Sequence, residues 1–501
     1  MAANATTIAQ IDVKNPVTGE IIGAVANSGP PQVRAAVARA RAVQPAWEAR
    51  GVLGRARFLR LWADDLWRAR DDLIRAIRTE TGKNETGALI EIIVLDNLFA
   101  YYGYRAPRLL RPQTRRALFP ILQRARIHDR PYGVVGFITP WNYPYLNALG
   151  DAIAALVAGN TVVIKPSEIA PFSALRAVEM AHRAGIPRDA IQVVTGDART
   201  GATLVDDVDY ISVTGSAATG RKVAARAAER LIPCALELGG KDPLIALEDA
   251  DIDIAASAAL QGALENAGQT CVSTERIYVM DAIYERFVDR LLHYAQQLRV
   301  GAGDGLGVHV GSMTNPREVQ RCEAHIADAV AKGARVLFGG GSRPDLGPLF
   351  FEPTILVDVD HTMDVMREET FGPLIPVMRV GSAEEAIRLA NDSRYGLSSA
   401  IFTRDLKRGE RLAQLIEAGD TSINRTQYVY GTPSLPMGGR KESGIGRRNG
   451  PEGLLRFVAP HAVLVDRGWL SRPGLTLLDP LMYRAILAAR VLRRYLPFLR
   501  P

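Results

Sequence analysis

The chain has 501 residues, and a single hydrophobic core stops growing at about 250 to 300, so two or three domains are expected. With 47% hydrophobic and 23% charged residues the composition excludes a disordered chain, a collagen-like repeat and a membrane bundle. The net charge of +7 is concentrated in residues 467–501, where seven arginines face one aspartate; a nearly neutral body with a basic tail argues against a nucleic-acid enzyme.

The opening MAANATTIAQIDVKNP has neither the basic nor the apolar region of a secretory signal, so the expected compartment is the cytoplasm. Residues 30–110 read as mostly helical and are expected to pack on the sheet that follows. The stretch 112–132 breaks that pattern and reads as a β-excursion. From residue 133, β-branched runs bounded by turn residues (GVVGFIT, NTVVIK, AIQVVTG, YISVTG) alternate with alanine- and leucine-rich helical segments. Such alternation predicts βαβ units and a Rossmann-type parallel sheet, with ligands at the carboxyl ends of its strands. A second α/β block follows Gly240. The predicted division is a dinucleotide-binding domain (1–111 and 133–239), a catalytic domain (240–450), an oligomerisation element (112–132 and 451–466) and a basic extension (467–501). Within that extension, residues 480–496 start at a proline and predict a helix. Arg490, Arg493 and Arg494 gather on one side of it and Leu481, Leu492 and Leu496 on another, which makes it a candidate for peripheral contact with an anionic membrane. Its rival role is to pack across a subunit interface.

The cysteines Cys234, Cys271 and Cys322 are too far apart in sequence for a C-x-x-C motif, and the scattered histidines offer no zinc spacing, so no metal is expected. Cys271 sits on a turn between a small-residue helix and a strand, where a nucleophile would find backbone N–H groups for an oxyanion. Cys234 and Cys322 read as packing residues. Glu237 lies in an apolar strand-like run before Gly239-Gly240; alternation places it on one face with Ala235, and burial would raise its pKa toward that of a base at neutral pH. Three strand ends (138–144, 165–168 and 213–220) fall on one edge of the sheet, with Gly215-Ser216 opening a helix that could receive a pyrophosphate.

Together, Ile138-Thr139-Pro140-Trp141-Asn142, Lys165-Pro166-Ser167-Glu168, Leu236-Glu237-Leu238-Gly239-Gly240-Lys241, Gly268-Gln269-Thr270-Cys271 and Glu369-Thr370-Phe371-Gly372-Pro373 resemble the NAD(P)-dependent aldehyde dehydrogenase superfamily over about residues 12–466. The resemblance implies an α/β aldehyde-dehydrogenase-like fold and oxidation of a small-molecule aldehyde to the acid, through a thiohemiacetal and thioester on Cys271. Asn142 and the Cys271 N–H would hold the oxyanion and Glu237 would activate water. It assigns Lys165 and Glu168 to the adenosine ribose, Trp141 and Ser216 to the pyrophosphate region, and Glu369 with Phe371 to the nicotinamide ribose, with Thr139, Ser167, Gly215 and Gly239 as further cofactor-binding residues. The Glu168 carboxylate would repel a 2′-phosphate, so NAD is expected, with NADP possible. A homodimer or homotetramer is implied. The rival readings are a coenzyme A-acylating dehydrogenase, which would typically lack the base Glu237, and a non-catalytic protein on the same fold.

Three positions depart from the family pattern. Asp151 stands where many relatives carry lysine, Arg448 where glutamate usually follows Gly-Arg, and Gly150 where many have a bulky aromatic. These departures bear on the proton-exit route and the funnel width. Arg448 with the following Gly-Pro-Glu-Gly-Leu-Leu and the tail is similar to a succinate-semialdehyde dehydrogenase branch; a semialdehyde or a hydrophobic aldehyde is the expected substrate.

Overall fold

The computed structural model describes residues 9–117, 122–467 and 480–495. Its first large sheet runs in the order Gly444–Ile445, Cys234–Glu237, Tyr210–Thr214, Val134–Ile138, Thr161–Lys165, Ile191–Val193. All neighbours are parallel except the Gly444–Ile445 pair, so the expected parallel sheet gains one antiparallel edge strand from far along the chain, beyond the division expected at Gly240. Helices cover both faces, and the predicted alternation in Cys234–Glu237 is visible in the packing. Ala235 belongs to the core beneath the N-terminal helices and Leu236 to the core on the opposite face.

The N-terminal helices Pro30–Glu48, Gly51–Arg68, Arg70–Thr81 and Glu85–Leu109 pack on this sheet and its crossover helices. Trp47 and Trp62, both fully buried, donate their indole N–H groups to the carbonyls of Leu156 and Ala177 at 3.0 Å each, so the large apolar rings are buried without leaving a donor unpaired.

A second sheet has the order Arg335–Phe338, Thr354–Val357, Leu374–Val380, Thr274–Met280, Asp242–Ala246, Ala400–Phe402, Ser422–Ile423, again parallel except at the Arg335–Phe338 edge. Its central strands are buried along their whole length, as β-branched runs covered on both faces must be. The β-excursion is a three-stranded antiparallel sheet in which Gln123–Pro131 pairs with Gln113–Arg115 on one side and Val458–Asp466 on the other.

The tail forms a helix over Pro480–Tyr495. Tyr483, Leu487, Val491 and Tyr495 are exposed on it, as are Arg484 and Arg490. Leu496 and the side chains of Leu481, Leu492 and Arg493 lie outside the described residues, so the two-sided pattern expected there is not traced. Among the described residues no helix is long and apolar enough to cross a membrane.

Candidate active site

The two sheets meet at a cleft formed by strand ends and the loops that leave them. Thr139, Trp141 and Asn142 follow Val134–Ile138; Lys165, Ser167 and Glu168 end Thr161–Lys165; Gly215 and Ser216 follow Tyr210–Thr214. Glu237 and Gly239 close Cys234–Glu237. With Cys271, Glu369 and Phe371 from the second sheet, all of these sequence-predicted residues line the one cleft. Ser216 caps the helix Ala217–Glu229, its Oγ accepting from the Thr219 N–H at 3.3 Å. Trp141 and Phe371 meet edge to face with centroids 5.6 Å apart. Lys165 Nζ is 2.9 Å from Glu168 Oε2, so the carboxylate expected to repel a 2′-phosphate carries a cation against it. Open space at Gly215, where nothing stands within 4 Å of a notional Cβ, and the buried, unpartnered Thr139 Oγ1 fit a polar ligand lying along these strand ends.

Cys271 is held by a tight loop. The helix Ile252–Leu264 passes into a turn in which Asn266 and Ala267 have φ of 53° and 55° and Gly268 has φ +75°. Two consecutive left-handed non-glycine residues cost about 1–2 kcal/mol each. A Cβ at Gly268 would stand 2.1 Å from the Gly372 carbonyl oxygen, and one at Gly240 would stand 2.4 Å from that of Cys271, so both glycines are required by close backbone approach. Gly239 likewise admits Glu369, whose carboxylate accepts the Gly240 N–H at 3.1 Å. Asn142 Nδ2 donates to the Gln269 carbonyl at 2.9 Å. That bond sets the amide plane beside the Cys271 loop and uses one of its two N–H groups.

Cys271 lines two cavities at once. One is the cleft just described; the other is a funnel walled by Val94, Leu98, Leu146, Val272, Tyr430 and Met437. Burial pushes the Cys271 thiol up to about 12, with Arg448 opposing and the carboxyls of Asp242, Glu237 and Glu369 adding to the rise. Glu237 is buried and neither carboxylate oxygen has a hydrogen-bond partner among the described residues. Desolvation raises its pKa to about 7, against the pull of Arg448 and Arg456. The site therefore pairs a protonated thiol with a carboxyl that titrates at neutral pH.

The departures at 151 and 448 are partners. Arg448 Nη2 lies 2.8 Å from Asp151 Oδ2, and Arg456 reaches the same oxygen at 2.7 Å. Arg448 also donates to Asn147 Oδ1 and Thr214 Oγ1, both at 3.2 Å. These two positions lie 297 apart in the chain. The reversed signs could have been read from the sequence; their contact could not.

Two further buried pairs were not anticipated. Lys83 Nζ donates to Glu91 Oε1 at 2.6 Å and to the Asn142 carbonyl at 2.7 Å, while Glu91 Oε2 accepts from the N–H groups of Tyr145 and Leu146. The pair thus ties the Asn142 loop to the first turn of the helix Pro144–Ala158. Lys241 Nζ meets Glu275 Oε2 at 2.6 Å, and Glu275 accepts the N–H groups of Thr370 and Phe371 at 2.7 and 2.9 Å, fixing the Glu369–Phe371 loop, where Phe371 has φ +57°. The helix Pro316–Ala331 adds Arg317, Glu318 and Arg321 to the cleft wall. No local motif marks these residues, because their partners lie on other elements.

The family model described as the aldehyde dehydrogenase family matches residues 3–463. The chain is 37% identical over 483 residues, 96% of its length and 92% of the relative's, to the Mycobacterium ulcerans protein named "Putative succinate-semialdehyde dehydrogenase NADP(+) 2". It is 41% identical over 480 residues, 93% of its length and 87% of the relative's, to 4,4'-diapolycopene aldehyde oxidase of Methylomonas sp. Among solved structures, succinate-semialdehyde dehydrogenase from Burkholderia pseudomallei superposes with a TM-score of 0.88 at 37% identity, covering 93% of this chain and 96% of that one.

Proposed function

The chain is an enzyme of the aldehyde dehydrogenase family, and we propose that it oxidises an aldehyde to its carboxylic acid with NAD(P) through a thioester on Cys271. The observation that carries this reading is the position of Cys271 where the strand-end cleft and the apolar funnel meet. A carbonyl carbon entering by the funnel reaches the sulfur from one side, and a cofactor in the cleft approaches from the other.

The chemistry follows from the groups present. Sulfur adds to the carbonyl carbon, and the oxygen takes up negative charge facing the Asn142 amide and the Cys271 N–H, fixed donors worth about 3 kcal/mol each by analogy with other oxyanion holes. The thiol proton passes to Glu237, which is desolvated and has no hydrogen-bond partner among the described residues. A nicotinamide cofactor held by the strand-end residues would supply the two-electron oxidant, as hydride acceptor, that the passage from thiohemiacetal to thioester requires. Having released its first proton, Glu237 takes another from a water that attacks the thioester; the acid leaves and the thiol is restored. Lys165, Ser167, Glu168, Thr139, Trp141, Gly215, Ser216, Gly239, Glu369 and Phe371 would hold the cofactor. Glu168 supports a preference for NAD, reduced by the Lys165 pairing; Glu168→Ser is expected to narrow the ratio of NAD to NADP Michaelis constants about fivefold, measured under identical salt. The relatives' names span a short semialdehyde and a long apolar aldehyde.

The three-stranded sheet is read as the oligomerisation element, supported by exposed Leu464 and Val465 on its outer strand, and the tail helix as a peripheral contact with anionic membranes, supported by its exposed apolar and arginine side chains. The decisive experiment mixes purified protein with NAD or NADP and a panel of aldehydes and follows cofactor absorbance. Turnover without coenzyme A is expected. Cys271→Ala should lower it by at least about a thousandfold while NAD still binds. Glu237→Gln should retain reduction in the first turnover but release acid about a hundredfold more slowly. Full turnover in Cys271→Ala would sink the mechanism.

A further inference from the structure

A separate cavity of about 300 Å³ lies against the turn that leads to Cys271. It shares no lining residue with the funnel or the strand-end cleft. Its walls are the first turns of the helix Glu85–Leu109, one face of the helix Ile252–Leu264, and the loop through Leu306 and Val308. Ser257, Leu260, Gln261 and Leu264 come to that face together because their spacing follows the helical repeat. The rim is tied down at both sides. Asn84 Nδ2 donates to the carbonyls of Val308 and His309 at 3.0 and 2.7 Å, and Glu85 Oε2 accepts the Gly305 N–H at 2.7 Å.

Among the described residues that line this cavity, Glu265 is the one carboxylate and there is no lysine or arginine. Its Oε1 is taken, since the hydroxyls of Tyr143 and Tyr430 in the funnel wall both donate to it at 2.8 Å. Its Oε2 bonds to nothing among the described residues, and the residue keeps part of its surface exposed. The neighbouring Asn266 is 5% exposed. It donates from Nδ2 to the Asn142 and Gln269 carbonyls at 2.9 and 3.2 Å, which leaves its Oδ1 buried without a partner. Two acceptors on adjacent residues of an otherwise largely apolar wall thus have no donor, and a buried acceptor left unmatched is costly. Lys83 does not serve them, because its Nζ is bonded to Glu91 and to the Asn142 carbonyl.

We infer that this cavity binds an organic ammonium ion carrying a short apolar chain, its N–H directed to Glu265 and its chain lying along Leu260, Leu264 and Val310. A charge-assisted bond to the carboxylate selects the cation, and burial of the chain favours binding by about three- to fourfold for each methylene removed from water. Asn266 belongs both to the cavity wall and to the support of the Asn142 carbonyl, so the site adjoins the proposed oxyanion hole without being part of it. The inference stands independently of the proposed oxidation.

The test is calorimetric titration of the full-length protein, with no aldehyde present, using N,N-dimethylhexylamine, which is protonated at neutral pH and forms no imine, and hexan-1-ol as its uncharged comparison. One amine per chain is expected, with a Kd at least about tenfold below that of hexanol. Glu265→Gln keeps an acceptor for the two tyrosine hydroxyls and removes the charge; it should raise the Kd of the amine at least about tenfold and leave that of hexanol within about twofold. Gln261→Trp, at an exposed position of the cavity wall, should raise both values about tenfold by filling the space. No saturable binding, a Kd for the amine no lower than that for hexanol, or an amine Kd unchanged in either variant overturns the inference and leaves the dehydrogenase reading intact.

Discussion

Glu237 illustrates how a single carboxyl acquires its role from surroundings distant in sequence. Desolvation lifts it to about 7, Arg448 and Arg456 hold it down, and Asp151 partly cancels both arginines. In the proposed mechanism Glu237 acts as a base, which requires it ionised, so acid release should rise with pH through about 7. Asp151→Asn removes a negative charge and leaves two guanidinium groups uncompensated, so the Glu237 pKa should fall and the rising limb should move to lower pH. Single-turnover rates of acid release from pH 5 to 9 would measure this; an unmoved or upward-shifted limb would contradict the assigned electrostatics. The same variant should lose about 3 kcal/mol of stability, since a buried ion deprived of its partner retains the desolvation cost. Apolar neighbours and the glycine pair after it make Glu237 a candidate in the sequence, and the family resemblance assigns its role. Arg448 stands out there as a departure but not as a partner of Glu237, since charge acts through space, and nothing in the local sequence of Arg456 marks it.

At the scale of elements, the site depends on loops clamped by buried ion pairs. Lys83 lies in the loop between the helices Arg70–Thr81 and Glu85–Leu109, and Glu91 lies in the second of them; between them they hold the Asn142 carbonyl and the first N–H groups of the helix Pro144–Ala158. Lys83→Met leaves Glu91 charged and unpaired and frees the Asn142 loop. It should cost about 3–5 kcal/mol in stability, read from denaturant midpoints, and lower kcat by about tenfold or more, with a smaller effect on KM, because a fixed oxyanion donor becomes mobile. The double variant Lys83→Met with Glu91→Leu removes both charges and should regain most of the stability but not the rate. Strands and helices of this region were readable from β-branched runs and alanine-rich segments. The clamps were not, as a lysine in a loop between helices is ordinarily solvated and only the packing of other elements around it buries this one.

For the molecule as a whole, the roles proposed for the tail and the three-stranded sheet concern association rather than chemistry. Deleting residues 467–501 should leave turnover of a small aldehyde within about twofold and reduce co-sedimentation with anionic liposomes at low salt, since a basic segment contributes about 1 kcal/mol per arginine near such a surface. Full-length protein that never sediments would refute the membrane contact and leave packing across a subunit interface as the role of the helix. The sequence alone determined the parallel α/β architecture and the strand ends, because periodicity and turn chemistry are local and a parallel sheet gathers its strand ends on one edge, while the identity of the cleft residues came from the family resemblance of its motifs. Only the tertiary structure decided that Gly444–Ile445 completes the first sheet, that Arg448 and Arg456 converge on Asp151, and that the pair of Lys83 and Glu91 meets the Asn142 loop. Each of these is a contact between residues far apart in the chain, and such contacts exist only once packing has removed the alternatives that water offers.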